Sequence, residues 1–251
     1  MATAPGTAQP HVDDAASHLK AKQEFLKDFQ GAVVTLPTTF HNRPVIRSYR
    51  RMFMAIMRNW HLATSLSRSK LKDSAAATKV QDGMLVKLKS AEAKLTARHK
   101  ILQALAAAAN LSEVGKTIKH GNSFSDDVVM LGPVSMKFRA LLLLCDEVLD
   151  LATGLYTYGE LPEEEFQTAS YEVKTLLRGV DSSVRNYRIG ILKRINTEVG
   201  ARPGYKGAAS EQAANAEQIA TEDGAAAKAD APAQPDAAAA TEASAEAKLA
   251  A

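Results

Sequence analysis

Apolar residues along most of this chain recur every three or four positions, which predicts helices, and two short runs break that rhythm as strands do. The first is Gly31-Ala-Val-Val-Thr-Leu-Pro37, a β-prone run. Asn42-Arg43-Pro44 then opens a helix, because proline suits a first turn in which its missing N–H has no partner to lose. Its apolar stripe runs through Ile46, Tyr49, Phe53, Ile56 or Met57, Trp60 and Ala63. A second helix is expected from Asp73-Ser74 to about Ala109. Its Met84, Leu88, Ala91, Leu95, Leu102 and Leu105 fall close to a 3.5-residue repeat that Arg98 interrupts. Such a repeat calls for a long antiparallel partner, inside the domain or on another chain. Gly83 is the expected break or bend.

A polar stretch from Asn110 to Asp126 follows, and Asp127-Val-Val-Met-Leu131 is again β-prone. Gly132-Pro133 turns the chain into a helix over about Val134–Tyr158, apolar around so much of its circumference that it should be the buried one. Gly159 is placed to end it. Pro162 and Glu163-Glu164-Glu165 form a strong helix start, since carboxylates favour the positive end of the helix dipole. Phe166, Ala169, Val173, Leu176, Val180, Val184, Tyr187, Ile191 and Ile195 mark one face of that helix to about Asn196.

The order is thus strand, helix, long helix, and then the same again. Val33-Val-Thr-Leu-Pro37 and Val128-Val-Met-Leu-Gly-Pro133 resemble each other, a match short enough for either duplication or coincidence. If the halves are related, the strands can pair as a small antiparallel ribbon, since a lone strand is unstable. The fold class expected is mostly α: one helical domain of four main helices with two short β-strands, over residues 23–204. Residues 1–22, small and polar with two prolines, are expected to be loose. Residues 205–251 read as a disordered, acidic, alanine-rich tail, because 21 of the 45 residues from Gly207 are alanine and no apolar stripe is present to pack.

Composition narrows the class. Aromatic residues are only 6% of the chain, so the core must come from Leu, Val, Ile and Met, which suits packed helices. The single cysteine, Cys145, sits in an apolar run and has no disulfide partner; it reads as a core residue of a reducing compartment. With no secretory signal and no apolar run near the ~18 residues of a membrane span, a cytoplasmic location is expected, with no membrane partner. The net charge of +3 conceals an asymmetry: after Gly207, eight acids face two lysines, a balance of −6 that leaves +9 on residues 1–206. A domain so basic favours polyanionic partners. The tail is then either solubilising or a competitor for the basic surface.

No catalytic constellation is complete. Gly115-Lys116-Thr117 ends like a phosphate-binding loop, but Asn110 stands where the first glycine belongs. The six histidines form no HxxxH or HExxH pair, one cysteine makes no zinc-finger spacing, and His61 and His99 read as surface or boundary residues. Glu163–Glu165 are explained by the helix start. Asp146 and Asp150 lie one turn apart within an apolar helix, and are expected to pair with arginines or lysines of a neighbour, a metal being the alternative. The expectation is a binding protein and not an enzyme, with no catalytic residues, no metal site, no cofactor and no evident small-molecule substrate.

The most informative stretch is Phe29–Lys72, which contains no acid and carries Arg43, Arg47, Arg50, Arg51, Arg58, Arg68, Lys70 and Lys72. At 100° per residue, Arg47, Arg50, Arg51, Arg58 and His61 fall within roughly a third of the helix circumference, opposite the Ile46–Trp60 stripe. Solvated charged faces usually mix signs, and this one does not. Arginine's planar fork suits phosphate oxygens and guanine edges, so these eight residues are the candidate nucleic-acid site. The last helix adds Arg178, Arg185, Arg188, Lys193 and Arg194. The lack of exposed aromatics on the arginine face argues against single-strand stacking.

The strand entering a basic helix (Val33–Pro37 into Arg43–Trp60), followed by FRALLLLCDEVLDLATGLYTYGELPEEEF (Phe138–Phe166), resembles the AcaB-like transcriptional regulators encoded by integrating conjugative elements and conjugative plasmids. The resemblance covers about Gly31 to Asn196 and carries no residue-level binding motif. It implies a DNA-binding regulator of conjugative transfer genes, without a cofactor. DNA is therefore the expected partner, and a homodimer is a further expectation. The rival reading is a helical protein–protein adaptor of the conjugation machinery. A strand before two helices is also the order of ribbon-helix-helix DNA readers, although these helices are longer than that module needs and Asp126 and Asp127 would repel phosphates.

Overall fold

The computed structural model describes residues 11–200 except 30, 112, 113, 115–117, 119 and 122. The chain divides into a unit Met1–Glu198 and a second, Val199–Ala251, and the elements below belong to the first apart from the last two residues of the final helix. The tail expected at 205–251, the first ten residues and Gly115-Lys116-Thr117 lie outside the described residues.

The elements run α1 (His11–Asp28), β1 (Val34–Phe40), α2 (Arg43–Ser69), α3 (Ser74–Ala108), β2 (Phe124–Met130), α4 (Pro133–Thr157) and α5 (Glu163–Gly200). Among the described residues, the fold is mostly helical, with four long helices, a shorter N-terminal one and a two-stranded antiparallel sheet. The strands begin at Val34 and Phe124, and the helices after them at Arg43 and Pro133. The strands and the helices that directly follow them thus keep an offset of 90 residues, and the strands pair as a ribbon, Val34 opposite Met130 through Phe40 opposite Phe124.

Three expectations shift. Residues 11–22 are helical and not loose: α1 has little apolar stripe of its own, and is held by partners far away in sequence, described below. Both strands move relative to the β-prone runs, β1 three residues towards the C-terminus and β2 starting three residues earlier and ending one earlier, because cross-strand register sets their limits. Pro37 is tolerated because a two-stranded ribbon consists only of edges. Gly83 does not break α3, which runs through it from Ser74 to Ala108. A Cβ there would run into the Tyr187 hydroxyl of α5, so the glycine leaves room for that ring.

The core lies between α2, α3, α4 and α5. It is built from Tyr49, Phe53, Ile56 and Met57 of α2, Met84, Leu88, Leu95 and Leu102 of α3, Phe138, Leu142 and Leu155 of α4, and Val173, Leu177 and Val184 of α5. Phe53 stacks on Phe138 at 5.7 Å and Asn42 meets Asp146, so α4 runs antiparallel to α2. Arg194 reaches Asp73 and Arg98 reaches Glu172, so α5 is the long antiparallel partner that the 3.5-residue repeat of α3 required. Each fully buried large side chain contributes about 1.5–3 kcal/mol. Left-handed Asn110 (φ 57) and Gly159 (φ 78) end α3 and α4, and Leu111 N–H and Glu160 N–H cap the carbonyls of Ala106 and Leu155.

Candidate nucleic-acid interface

α2 buries the face through Val45, Tyr49, Phe53, Ile56, Met57 and Trp60. The opposite sector therefore reaches solvent, and Arg43, Arg47, Arg51 and Arg58 are exposed along it. At 1.5 Å per residue this row is roughly 22 Å long. Among the described residues, none of Arg43, Arg47 and Arg58 has an ion-pair partner.

Arg50 does not join the row. It is half-buried, with its guanidinium carbon 4.2 Å over the Phe124 ring. His61, placed on the same face by helical geometry, is half-buried too, with ring centroids 5.0 Å from Phe29 and 6.1 Å from Phe25. That burial lowers the pKa of its imidazole. Arg50 is thus covered by β2, and His61 by the end of α1 and the residue that follows it. Arg68, Lys70 and Lys72 are exposed but stand at the far end of α2, around the turn into α3, where Lys72 takes a left-handed conformation (φ 53). The eight sequence candidates thus split into a row of four, one covered residue and a separate cluster of three.

The basic residues of α5 are largely engaged within the fold. Arg185 pairs with Asp181 at 2.9 Å, and Arg194 reaches Asp73 at 3.3 Å and Glu198 at 3.2 Å. Arg188 donates to the Asn59 side chain at 2.9 Å, tying α5 to α2.

The ribbon offers a different surface. Its outward row consists of exposed Thr35, Pro37, Thr39, Ser125 and Asp127, with the Thr39 and Ser125 hydroxyls 2.8 Å apart. No cation lies on either strand.

Asp126 on the inward side is the hub that α1 docks on. His18 Nε2 meets its Oδ2 at 3.1 Å, Lys22 donates to Oδ1 at 2.7 Å, and the Tyr49 hydroxyl donates to Oδ2 at 2.6 Å. The other ring nitrogen of His18 lies 3.2 Å from the Arg50 carbonyl, and Lys22 also reaches the Asp127 carbonyl at 2.6 Å. Sequence reading passed over His18 and Lys22, since each looks like an ordinary polar residue until its partner more than a hundred positions away is known.

Asp146 and Asp150 take partners other than the arginines and lysines expected. Asp146 accepts the backbone N–H groups of His41 and Asn42, each at 2.8 Å, and so caps the start of α2 from α4. Asp150 accepts from the Asn42 side chain at 2.6 Å and faces His120 Nε2 at 2.9 Å. Burial raises the Asp150 pKa, opposed by Asn42 and His120. Among the described residues, no group of three or more histidines, cysteines or carboxylates is arranged to hold a metal ion. Among them too, no helix is long and apolar enough to cross a membrane.

No protein-family model matches this chain, and no curated protein does. A solved structure does: the crystal structure of selenomethionine-containing AcaB from uropathogenic E. coli, with a TM-score of 0.55 and 15% sequence identity, covering 68% of this chain and 84% of that one. At that identity the likeness speaks for the fold alone. It bears out what the sequence resemblance implied of the architecture: this chain is built like AcaB.

Proposed function

We propose that this protein is a non-enzymatic DNA-binding regulator, associated with an integrating conjugative element or a conjugative plasmid, that docks on duplex DNA through the arginine row of α2. The observation that carries the reading is the exposed line Arg43, Arg47, Arg51 and Arg58 on a helix of a stretch with no acid from Phe29 to Lys72. Arginines of α5 serve the fold, whereas Arg43, Arg47 and Arg58 have no structural task among the contacts described above. Phosphate neutralisation by such a row provides affinity and positions the protein, and base contacts by arginine forks add specificity. The regulatory role itself rests on the sequence resemblance to AcaB-like regulators.

The ribbon is the competing docking element, because two strand–helix–helix halves with paired strands share the order of ribbon-helix-helix readers. Its outward row, which has no cation and carries Asp127, favours the helix instead. A labelled duplex titrated against three proteins separates the readings. Replacing Arg47, Arg51 and Arg58 together by alanine should abolish most binding, while Thr35→Ala with Thr39→Ala should leave it intact. The reverse pattern would move the interface to the ribbon, and no binding by the unaltered protein at low salt would favour the adaptor reading.

A further inference from the structure

α3 has two apolar faces, and the fold uses one. With Val86 as zero and 100° per residue, Met84, Leu88, Leu95 and Leu102 cluster around 180° and are buried. Val86, Ser90, Ala93, Ala97, Ile101 and Ala104 fall between about −20° and +60°, and every one of them is exposed. Val86 and Ile101 are 68% and 59% exposed, among the largest values for bulky apolar residues here. They stand roughly 22 Å apart, with small residues between them. Tyr171 of α5, 66% exposed, lies at the level of Ile101, because Arg98 ties α3 to Glu172 there. A contiguous exposed apolar strip rimmed by polar residues is the kind of surface that marks an interaction site.

The fringe says what kind of partner fits. Lys87 and Lys94 border the strip near +90°, and Lys89 and Lys100 border it near −50°, all four exposed. Of the two acids on α3, Asp82 lies nearer the strip in helical angle, one turn before Val86. A second copy of the chain fits poorly. Antiparallel copies that seat Val86 against Ile101 bring Lys89 beside Lys100 on one edge and Lys87 near Lys94 on the other. Parallel copies set the Lys87–Lys94 edge of one beside the Lys89–Lys100 edge of the other. Like charges flanking an apolar seam disfavour that pairing, and opposite charges select it.

We propose that the outward face of α3 is a docking site for an acidic amphipathic helix, with Val86 and Ile101 as its anchors and the four lysines as its charge fringe. The partner carries small or aliphatic residues at three-to-four spacing and glutamates or aspartates on both borders, the helix-to-helix mode of peptide recognition. This surface lies on a different helix from the arginine row.

Two fluorescein-labelled synthetic helices of about four heptads test it, identical in their leucine–alanine stripe but bordered by glutamate in one and by lysine in the other. Anisotropy titrations of the full chain should show binding of the glutamate helix and not the lysine helix. Val86→Asn with Ile101→Asn should weaken binding about tenfold or more, with an unchanged melting temperature because both side chains are exposed. Lys89→Glu, Lys94→Glu and Lys100→Glu together should reverse the preference. The Arg47, Arg51 and Arg58 alanine variant should keep its affinity for the helix, which separates this site from DNA docking. Failure to bind the glutamate helix overturns the proposal, as does binding indifferent to the Val86 and Ile101 changes, the mark of a mere polyanion effect. A dimer in light scattering that those two changes dissolve would instead assign the face to a second copy.

Discussion

Tyr49 of α2 donates its hydroxyl hydrogen to Asp126 of β2 across 2.6 Å, although 77 residues separate them in the chain. His18 and Lys22 of α1 close on the same carboxylate, so three elements meet at one acid. Burial alone would raise the Asp126 pKa. The hydrogen bonds from His18, Lys22 and Tyr49, with the charge of Lys22, outweigh it and hold the group well below the usual carboxylate range. Burial, then the bond and charge of Asp126, push the Tyr49 phenol well above its own range.

Both shifts make stability depend on pH, at opposite ends. The contribution of Asp126 is present above its unfolded pKa of about 3.9 and is lost as pH falls towards its depressed folded value. That of Tyr49 is present below about 10 and declines as pH rises further, because the unfolded chain ionises first. Urea unfolding across pH should show Asp126→Asn flattening the acid limb and Tyr49→Phe the alkaline one. Asp126→Ala should cost about 2–4 kcal/mol, because it strands three donors, and should speed amide exchange in α1.

Asp146 should matter more than a solitary carboxylate on an apolar helix suggests. Asp146→Ala leaves the N–H groups of His41 and Asn42 without their acceptor at the start of α2, a loss of about 2–4 kcal/mol in chemical denaturation. Asp146→Asn keeps one acceptor oxygen and should lose roughly half as much. Equal losses for the two variants would mean that charge, and not capping, is what the position supplies.

Gly83 and Tyr187 should show a coupling whose sign changes. Alanine at 83 drives a Cβ into the Tyr187 ring, and should destabilise by about 1 kcal/mol or more despite its better helix propensity. In a Tyr187→Leu background the obstruction is gone, and the same change should stabilise by up to about 1 kcal/mol. A double-mutant cycle in urea measures the difference.

The arginine row should be visible in salt dependence. Each phosphate contact adds about 0.9 to the slope of log affinity against log salt, so Arg47→Ala and Arg58→Ala should each lower the slope by about that amount. Arg185→Ala and Arg194→Ala, which lose internal partners, should reduce thermal stability slightly and leave the slope unchanged.

Cys145 should be inert while the protein is folded. It is fully buried, and burial followed by the charge of Asp146 pushes its thiol well above the ordinary range. Reaction with a disulfide reagent should then follow the rate of unfolding, and rapid reaction of the native protein would show a path to the core that this packing lacks.

Local periodicity was enough to find the four long helices and both strands, because a stripe at three-to-four spacing or a short β-prone run is written within a few residues of itself. It also marked α2 as a helix with one apolar side and one arginine side, since both follow from 100° per residue. Which arginines face water was another matter. Arg50 and His61 satisfy the same angular test as Arg47 and Arg58, and are withdrawn only because Phe124 of β2 covers the one and Phe25 and Phe29 pack on the other. α1 escaped notice because its docking depends on His18, Lys22, Phe25 and Phe29 meeting Asp126 and His61, contacts without periodicity. Asp146 looked like half of an ion pair, and its real partners are backbone N–H groups that any sequence would possess. Sequence by itself determined the elements and their faces, which are properties of neighbouring residues. Tertiary structure decided register, caps, and which charged groups remain available, because each depends on what a distant segment brings to the same few ångströms.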